Sequence, residues 1–222
     1  MKKPIIGIIP DIDINKGKFP KKGNFVPLDF IKKLQESGAE VIILGVSGEK
    51  DDISQEILSI CDGFLFMSGN YFFPYHLEAM GFAVKNHVPV LGICLGMQVM
   101  GAYSAGVELE NITDLKRDLN INHDPKILVD KDRGKPVHKV NLKKDSIIHR
   151  LFGDEVLVNS RHMHYISKVE DPFIITGLSE DGIIEVVEYK DKDNFIIGVQ
   201  WHPEAMDTMK PLFDFFIEKV RS

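Results

Sequence analysis

Gly92-Ile93-Cys94-Leu95-Gly96-Met97-Gln98 is the stretch on which the reading of this chain turns. It follows an apolar run of strand character, Val88 to Leu91, and opens a helical run, Leu95 to Tyr103. A sharp strand-to-helix turn holds its central residue in a strained conformation, and glycines two positions either side relieve the crowding. Such a turn lifts the central side chain to the carboxyl edge of a sheet, where open α/β folds build their sites. It also sets the Cys94 sulfur at a helix N-terminus, whose unpaired N–H groups and dipole favour thiolate. Cys94 is therefore the candidate nucleophile. Cys61 lies between a helical run and a strand and lacks this setting.

Outward from the turn, short β-branched runs alternate with amphipathic ones. Pro4 to Ile9, Val41 to Leu44 and Gly63 to Met67 read as buried strands. Val26 to Ser37, stopped by Gly38, reads as a helix, as do Ile53 to Ile60 and Tyr75 to Lys85. This βαβα order, with continuously apolar strands, predicts a mostly parallel sheet covered on both faces. Glu110 to Gly134 is polar and without periodicity, a long excursion. Beyond it, Val137 to Leu142, Val156 to Val158, Ile174 to Thr176, Ile183 to Tyr189 and Phe195 to Val199 read as strands, with turn residues such as Glu180-Asp181-Gly182 between them. Those turns predict antiparallel pairing in the second half. Met209 to Val220 closes the chain as a helix. The expectation is an α/β, three-layer open sheet forming one domain over residues 1–222.

Composition narrows the functional classes. The chain has 222 residues, with 27 Lys and Arg against 33 Asp and Glu, a formal net charge of -6. No dense basic cluster is present, which argues against a nucleic-acid partner. Two cysteines make neither a disulfide framework nor a cysteine-rich zinc site, and a reducing compartment follows. The apolar run Ile5 to Ile9 is cut by Pro10-Asp11, short of the roughly 7–15 residues of a signal-peptide core, and no window spans a membrane. A cytoplasmic location is expected.

A cysteine nucleophile needs a base. His202 stands in Gln200-Trp201-His202-Pro203-Glu204, just past the strand Phe195 to Val199. On an extended segment residues two apart point to one side, so Glu204 can fix one imidazole nitrogen and leave the other to take a thiol proton. Pro203 keeps His202 out of helical geometry. His162 and His164 are also two apart, as a metal pair would be, but no Cys or carboxylate with ligand spacing accompanies them. No metal or other cofactor is expected.

The turn around Cys94 together with His202-Pro203-Glu204 resembles the class I glutamine amidotransferase superfamily, whose sheet is flavodoxin-like. Gly198 to Glu204, Val158-Asn159-Ser160-Arg161-His162 and Pro27-Leu28-Asp29-Phe30 resemble its γ-glutamyl hydrolase branch, which includes the γ-glutamyl-γ-aminobutyrate hydrolases. The resemblance implies that Cys94 attacks a γ-carbonyl to form a γ-glutamyl thioester, that His202 moves the proton and that Glu204 orients His202. It places the oxyanion on the backbone N–H of Leu95 and on one from the turn Ser68-Gly69-Asn70, given by Gly69 or Asn70. It places Gln98, Ser160 and His162 at the substrate.

The sequence departs from that branch in several places: Met163 follows His162 where relatives often carry a second histidine, and the stretch from the oxyanion turn to Val88 is short. Leu95 stands where the branch often has Arg, and so matches ammonia-donating amidotransferases. Asn70-Tyr71-Phe72-Phe73-Pro74-Tyr75 is aromatic where the branch is polar, and those rings either wall the pocket or pack over the sheet edge. The leading expectation is a hydrolase releasing glutamate and an amine from a small γ-glutamyl substrate. The alternative is a glutaminase that feeds ammonia to a synthase partner, and a non-catalytic binding protein on the same fold is a third. A second copy of the chain and the synthase are the candidate protein partners.

Overall fold

Successive residues of a strand face opposite sides of its sheet, and here both sides are apolar. Ile6 and Ile8 enter one core cluster while Ile9 enters the other; Leu65 and Leu91 divide in the same way from Phe64, Phe66 and Val90. A sheet built from such strands must be covered twice. The computed structural model describes residues 2–15, 21–49, 52–105, 109–111, 121–124, 132–191 and 193–222.

The first half runs β1 (Ile5–Ile9), β2 (Asp11–Asn15), β3 (Lys21–Phe25), α1 (Leu28–Glu36), β4 (Glu40–Ile43), α2 (Gln55–Leu58), β5 (Gly63–Phe66), α3 (Pro74–Asn86), β6 (Val90–Ile93) and α4 (Leu95–Ala105). The second runs β7 (Leu109–Asn111), β8 (His138–Leu142), α5 (Ile147–Phe152), β9 (Glu155–Val158), β10 (His164–Ile166), β11 (Phe173–Ser179), β12 (Ile184–Tyr189), β13 (Ile196–Val199) and α6 (Lys210–Arg221). The main sheet has the order β4-β1-β5-β6-β13-β12-β11-β8-β9. Strands from β4 to β13 in that order are parallel; β12, β11, β8 and β9 continue it antiparallel. On one face lie Phe30 and Leu34 of α1 with Leu212, Phe213 and Phe216 of α6. On the other lie Ala79, Met80 and Ala83 of α3 with Met97 and Met100 of α4. The three-layer, mostly parallel architecture with an antiparallel second half is the one the sequence predicts.

Local chemistry sets the helix ends. Pro27 precedes α1 with φ -59°, and Gly38, at φ +93°, reverses the chain just past its end. Pro74 opens α3 where its missing N–H costs nothing. The run Ile53 to Ile60 shortens to α2, because the Ser54 hydroxyl accepts from Ile57 N and starts the helix only there. The β2–β3 hairpin, helix α5 and strand β10 were not expected. The first is a polar pair off the main sheet, and α5 has too few turns for periodicity to register. Most of the excursion Glu110 to Gly134 lies outside the described residues; β7, which overlaps its start, pairs antiparallel with β10. Among the described residues no helix is long and apolar enough to cross a membrane.

What positions the site is the adjacency of β1, β5, β6 and β13. Their carboxyl ends deliver Asp11, the turn Ser68-Gly69-Asn70, Cys94 and Gln200 to His202 to one edge of the sheet.

Candidate active site

Cys94 has φ +53°, a left-handed conformation that a side chain adopts only under constraint. Its N–H is held by Val199 O at 2.8 Å, and its carbonyl accepts from Gln98 N at 3.1 Å. The flanking glycines are steric necessities. A Cβ on Gly96 would stand 2.1 Å from Phe66 O, and one on Gly92 would stand 2.8 Å from the Gly96 carbonyl. The turn can therefore pack against β5 only as Gly-x-Cys-x-Gly.

His202 and Glu204 are both buried, and Nδ1 of His202 lies 2.8 Å from Glu204 Oε1. They do not meet across an extended segment as the sequence suggested. Pro203–Ala205 forms one turn of 3-10 helix, because Pro203 at its first position already has the required φ, and that turn brings the carboxylate back under the ring. The remaining nitrogen, Nε2, is buried and bonded to no oxygen or nitrogen among the described residues, leaving the Cys94 sulfur as the neighbour that acts on it. Burial alone would lower the proton affinity of His202, but Glu204 and Cys94 outweigh it and hold the imidazole up at about 10. The ring is thus held as imidazolium beside the sulfur. Cys61, by contrast, is buried next to Asp62, and both effects push its thiol up to about 11.

Cys94 lies between two lobes of one cleft. The first, of about 380 Å³, is lined by Asp11, Ser68, Gly69, Asn70, Arg133, Arg161, His202 and Glu204. The second, of about 550 Å³, is lined by Asn70, Tyr71, Leu95, Gln98, Asp124, Arg161, His162, Met163 and His164. Gly69, Asn70 and Leu95 are therefore brought to the nucleophile as expected. The N–H of Asn70, however, donates to Asp11 Oδ2 at 3.0 Å and is already engaged. Gln98 borders the second lobe with its amide nitrogen bonded to His164 O at 3.0 Å and to Gln200 Oε1 at 3.2 Å. His162 is buried at the rim of that lobe, while His164 is exposed, so the two do not converge on one point.

Ser160 departs from its expected place. It is fully buried, its hydroxyl donates to His123 O at 2.7 Å, and it borders neither lobe. The side chain anchors the excursion instead of facing a ligand, because Asn159 and Ser160 turn inward after β9. Of the aromatic run, Tyr75 is core, bonded through its hydroxyl to Pro10 O at 2.9 Å, and Phe73 stacks on it. Tyr71 and Phe72 remain exposed, and Tyr71 borders the second lobe.

Several polar residues at the nucleophile and along the cleft escaped the sequence reading. Gln200 Nε2 donates to Cys94 Sγ at 3.4 Å, and the bond from Gln98 to its carbonyl fixes which end of the amide faces sulfur. Its signal was present: it stands two before His202 on the strand edge. Arg161 borders both lobes with a buried, unpartnered Nη1, and Arg133 borders the first. Arg133 sits at the end of the aperiodic excursion, where no pattern could single it out.

Comparison with known proteins agrees with this geometry. The peptidase C26 family model matches residues 74–204, more than half the chain. The chain belongs to the peptidase C26 family. Among relatives of this C26 chain, the protein NtpR of Enterococcus hirae is 26% identical over 97% of this chain and 99% of its own length. A candidate glutamine amidotransferase of Schizosaccharomyces pombe is 37% identical over 63% of this chain and 54% of its own. In structure, a candidate GMP synthase subunit from Thermoplasma acidophilum covers 100% of this chain and 96% of its own length, with a TM-score of 0.69 at 19% identity. The C26 chain thus shares the class I glutamine amidotransferase-like fold.

Proposed function

We propose that the chain hydrolyses a γ-glutamyl amide through a thioester on Cys94. The observation that carries this reading is the meeting of a left-handed Cys94 with a Glu204-held His202 at one cleft. The Cys94 thiolate attacks the γ-carbonyl carbon, and the carbonyl electrons move to oxygen. Backbone N–H groups of Leu95 and Gly69 stabilise that oxyanion, since the N–H of Asn70 is committed to Asp11. As the tetrahedral species collapses, the C–N bond breaks and the His202 Nε2 proton goes to the departing nitrogen. His202 then takes a proton from water, which attacks the thioester, and glutamate leaves as the thiolate is restored. Glu204 fixes the tautomer throughout. Arg161, with an unpartnered nitrogen, suits the α-carboxylate of the glutamyl group, and Asp124 in the same lobe suits its α-amino group.

An electrophilic glutamine analogue tests the assignment. It is expected to add to Cys94, mapped by peptide mass spectrometry, and to abolish glutamate release. Addition only at Cys61, or full activity in Cys94→Ala, would overturn it.

The reading as a glutaminase serving a synthase is favoured by a different observation. Phe25, Tyr71 and Met163, all exposed, stand at the mouths of the two lobes, where a second protein can cover them. Leu95 and the likeness to a GMP synthase component point the same way. Kinetics separate the readings: a hydrolase turns over γ-glutamyl amines unaided and better than glutamine, whereas an ammonia donor uses glutamine and needs its synthase.

A further inference from the structure

Behind the second lobe, away from Cys94, four ligating side chains from separate parts of the chain converge. Glu185 of β12 is fully buried, and its Oε1 lies 3.1 Å from Nε2 of His138, the first residue of β8. The same oxygen lies 3.6 Å from His123 Nδ1 and 3.6 Å from His162 Nε2. Gaps of that length are too wide for hydrogen bonds. They are close to the separation of about 3.4 Å between ligand atoms on a tetrahedral zinc with bonds near 2.0–2.1 Å. The ligating atoms of His123, His138 and Glu185 all lie within 4.8 Å of one another. His162 Nε2 and Glu185 Oε2 are buried with no hydrogen-bond partner among the described residues.

His123 and His162 have the outer contacts a metal-binding histidine needs: His162 Nδ1 lies 3.2 Å from His164 O, whereas His138 Nδ1 has no partner among the described residues. The far nitrogen of His123, Nε2, lies 3.2 and 3.1 Å from the two oxygens of Asp181, whose Oδ1 accepts from Ser179 Oγ. A carboxylate that takes the Nε2 proton leaves the Nδ1 lone pair facing Glu185.

We propose that His123 Nδ1, His138 Nε2 and Glu185 Oε1, completed by His162 Nε2, bind one divalent transition-metal ion of the zinc class. The mixed nitrogen and oxygen donor set favours zinc over calcium or magnesium. Of these ligands only His162 borders the cleft, so the ion is structural. It fastens residues 121–124 to β8 and β12 and holds Arg161 and His162 at the rim of the second lobe.

Zinc titration of chelator-stripped Cys94→Ala protein tests the proposal, because that background removes the thiolate as a competing ligand. One equivalent is expected by calorimetry, with a rise in Tm on adding zinc. Cobalt in place of zinc is expected to give the visible absorption of a four-coordinate centre. Glu185→Gln is expected to abolish binding. Should that buried change prevent folding, His123→Gln is expected to weaken binding at least 100-fold, and Asp181→Asn by 10–100-fold. Absence of both heat and Tm shift, or undiminished binding in His123→Gln, would overturn the site.

Discussion

An alanine methyl at Gly96 would stand 2.1 Å from Phe66 O, a backbone atom that cannot swing aside. Gly96→Ala is therefore expected to cost about 3 kcal/mol, the upper end of overpacking, read as a fall in the urea midpoint. Electrostatics govern the next pair. His202 holds its proton to about 10 in the folded protein against about 6.5 in the unfolded chain, so it contributes stability in full below pH 6.5. That contribution is lost as pH rises through 10. Activity, which in the proposed mechanism uses the His202 proton for the departing nitrogen, should decline over the same alkaline limb. Glu204 is the first of the groups that raise His202, so Glu204→Gln is expected to move that limb to lower pH while retaining more activity than His202→Ala. The latter should lose about 10³-fold or more in kcat/KM. A pH–rate profile of Glu204→Gln that overlays the parent's would remove Glu204 from its orienting role. Cys94 was legible because everything that marks it is local: two glycines, a strand before and a helix after. Arg161 was not, since its importance lies in what faces it across the cleft.

Elements follow the same division between local and distant causes. Helix α1 announces itself through Pro27, Gly38 and an apolar stripe. Helix α5 does not, because part of its cap comes from another strand: Glu188 of β12 accepts from Ile147 N at 2.9 Å and from Ile148 N at 3.0 Å. A buried carboxylate on a helix N-terminus compensates the dipole and satisfies two otherwise orphaned donors. Glu188→Ala leaves both donors buried without an acceptor. It should destabilise the protein by about 2–4 kcal/mol, measured by denaturant titration, with most of the loss in the unfolding rate if α5 docks late. Substitution of exposed Glu155, paired with Lys139 at the sheet edge, should cost under about 1 kcal/mol and serves as the control. The turn Pro203–Ala205 makes a related point. The sequence placed Glu204 beside His202 correctly, but by strand alternation; the contact comes from a 3-10 turn that Pro203 starts, and a single proline does not distinguish the two.

At the scale of the whole molecule, the sheet order joins the halves of the chain. Strand β13 lies between β6 and β12, and α6 packs on the face that α1 also covers. Leu212, Phe213, Phe216 and Ile217 of α6 are all at 0% exposure. Each contributes roughly 1.5–3 kcal/mol by burial, which together rivals the ~5–15 kcal/mol that holds a typical domain folded. Removal of residues 210–222 is therefore expected to abolish cooperative unfolding. The fluorescence of the sole tryptophan, Trp201, fully buried one residue before His202, reports that loss as a red shift. The insertion of β13 has one more consequence. Gln200, which touches the Cys94 sulfur, lies 106 residues further along the chain, and His202 follows it. During synthesis, domains fold from the N-terminal side as they emerge, and long-range strand pairing comes late. A nascent chain that has emerged only through α4 carries its thiol without the histidine that arms it, so the ribosome releases the sulfur well ahead of its reactivity.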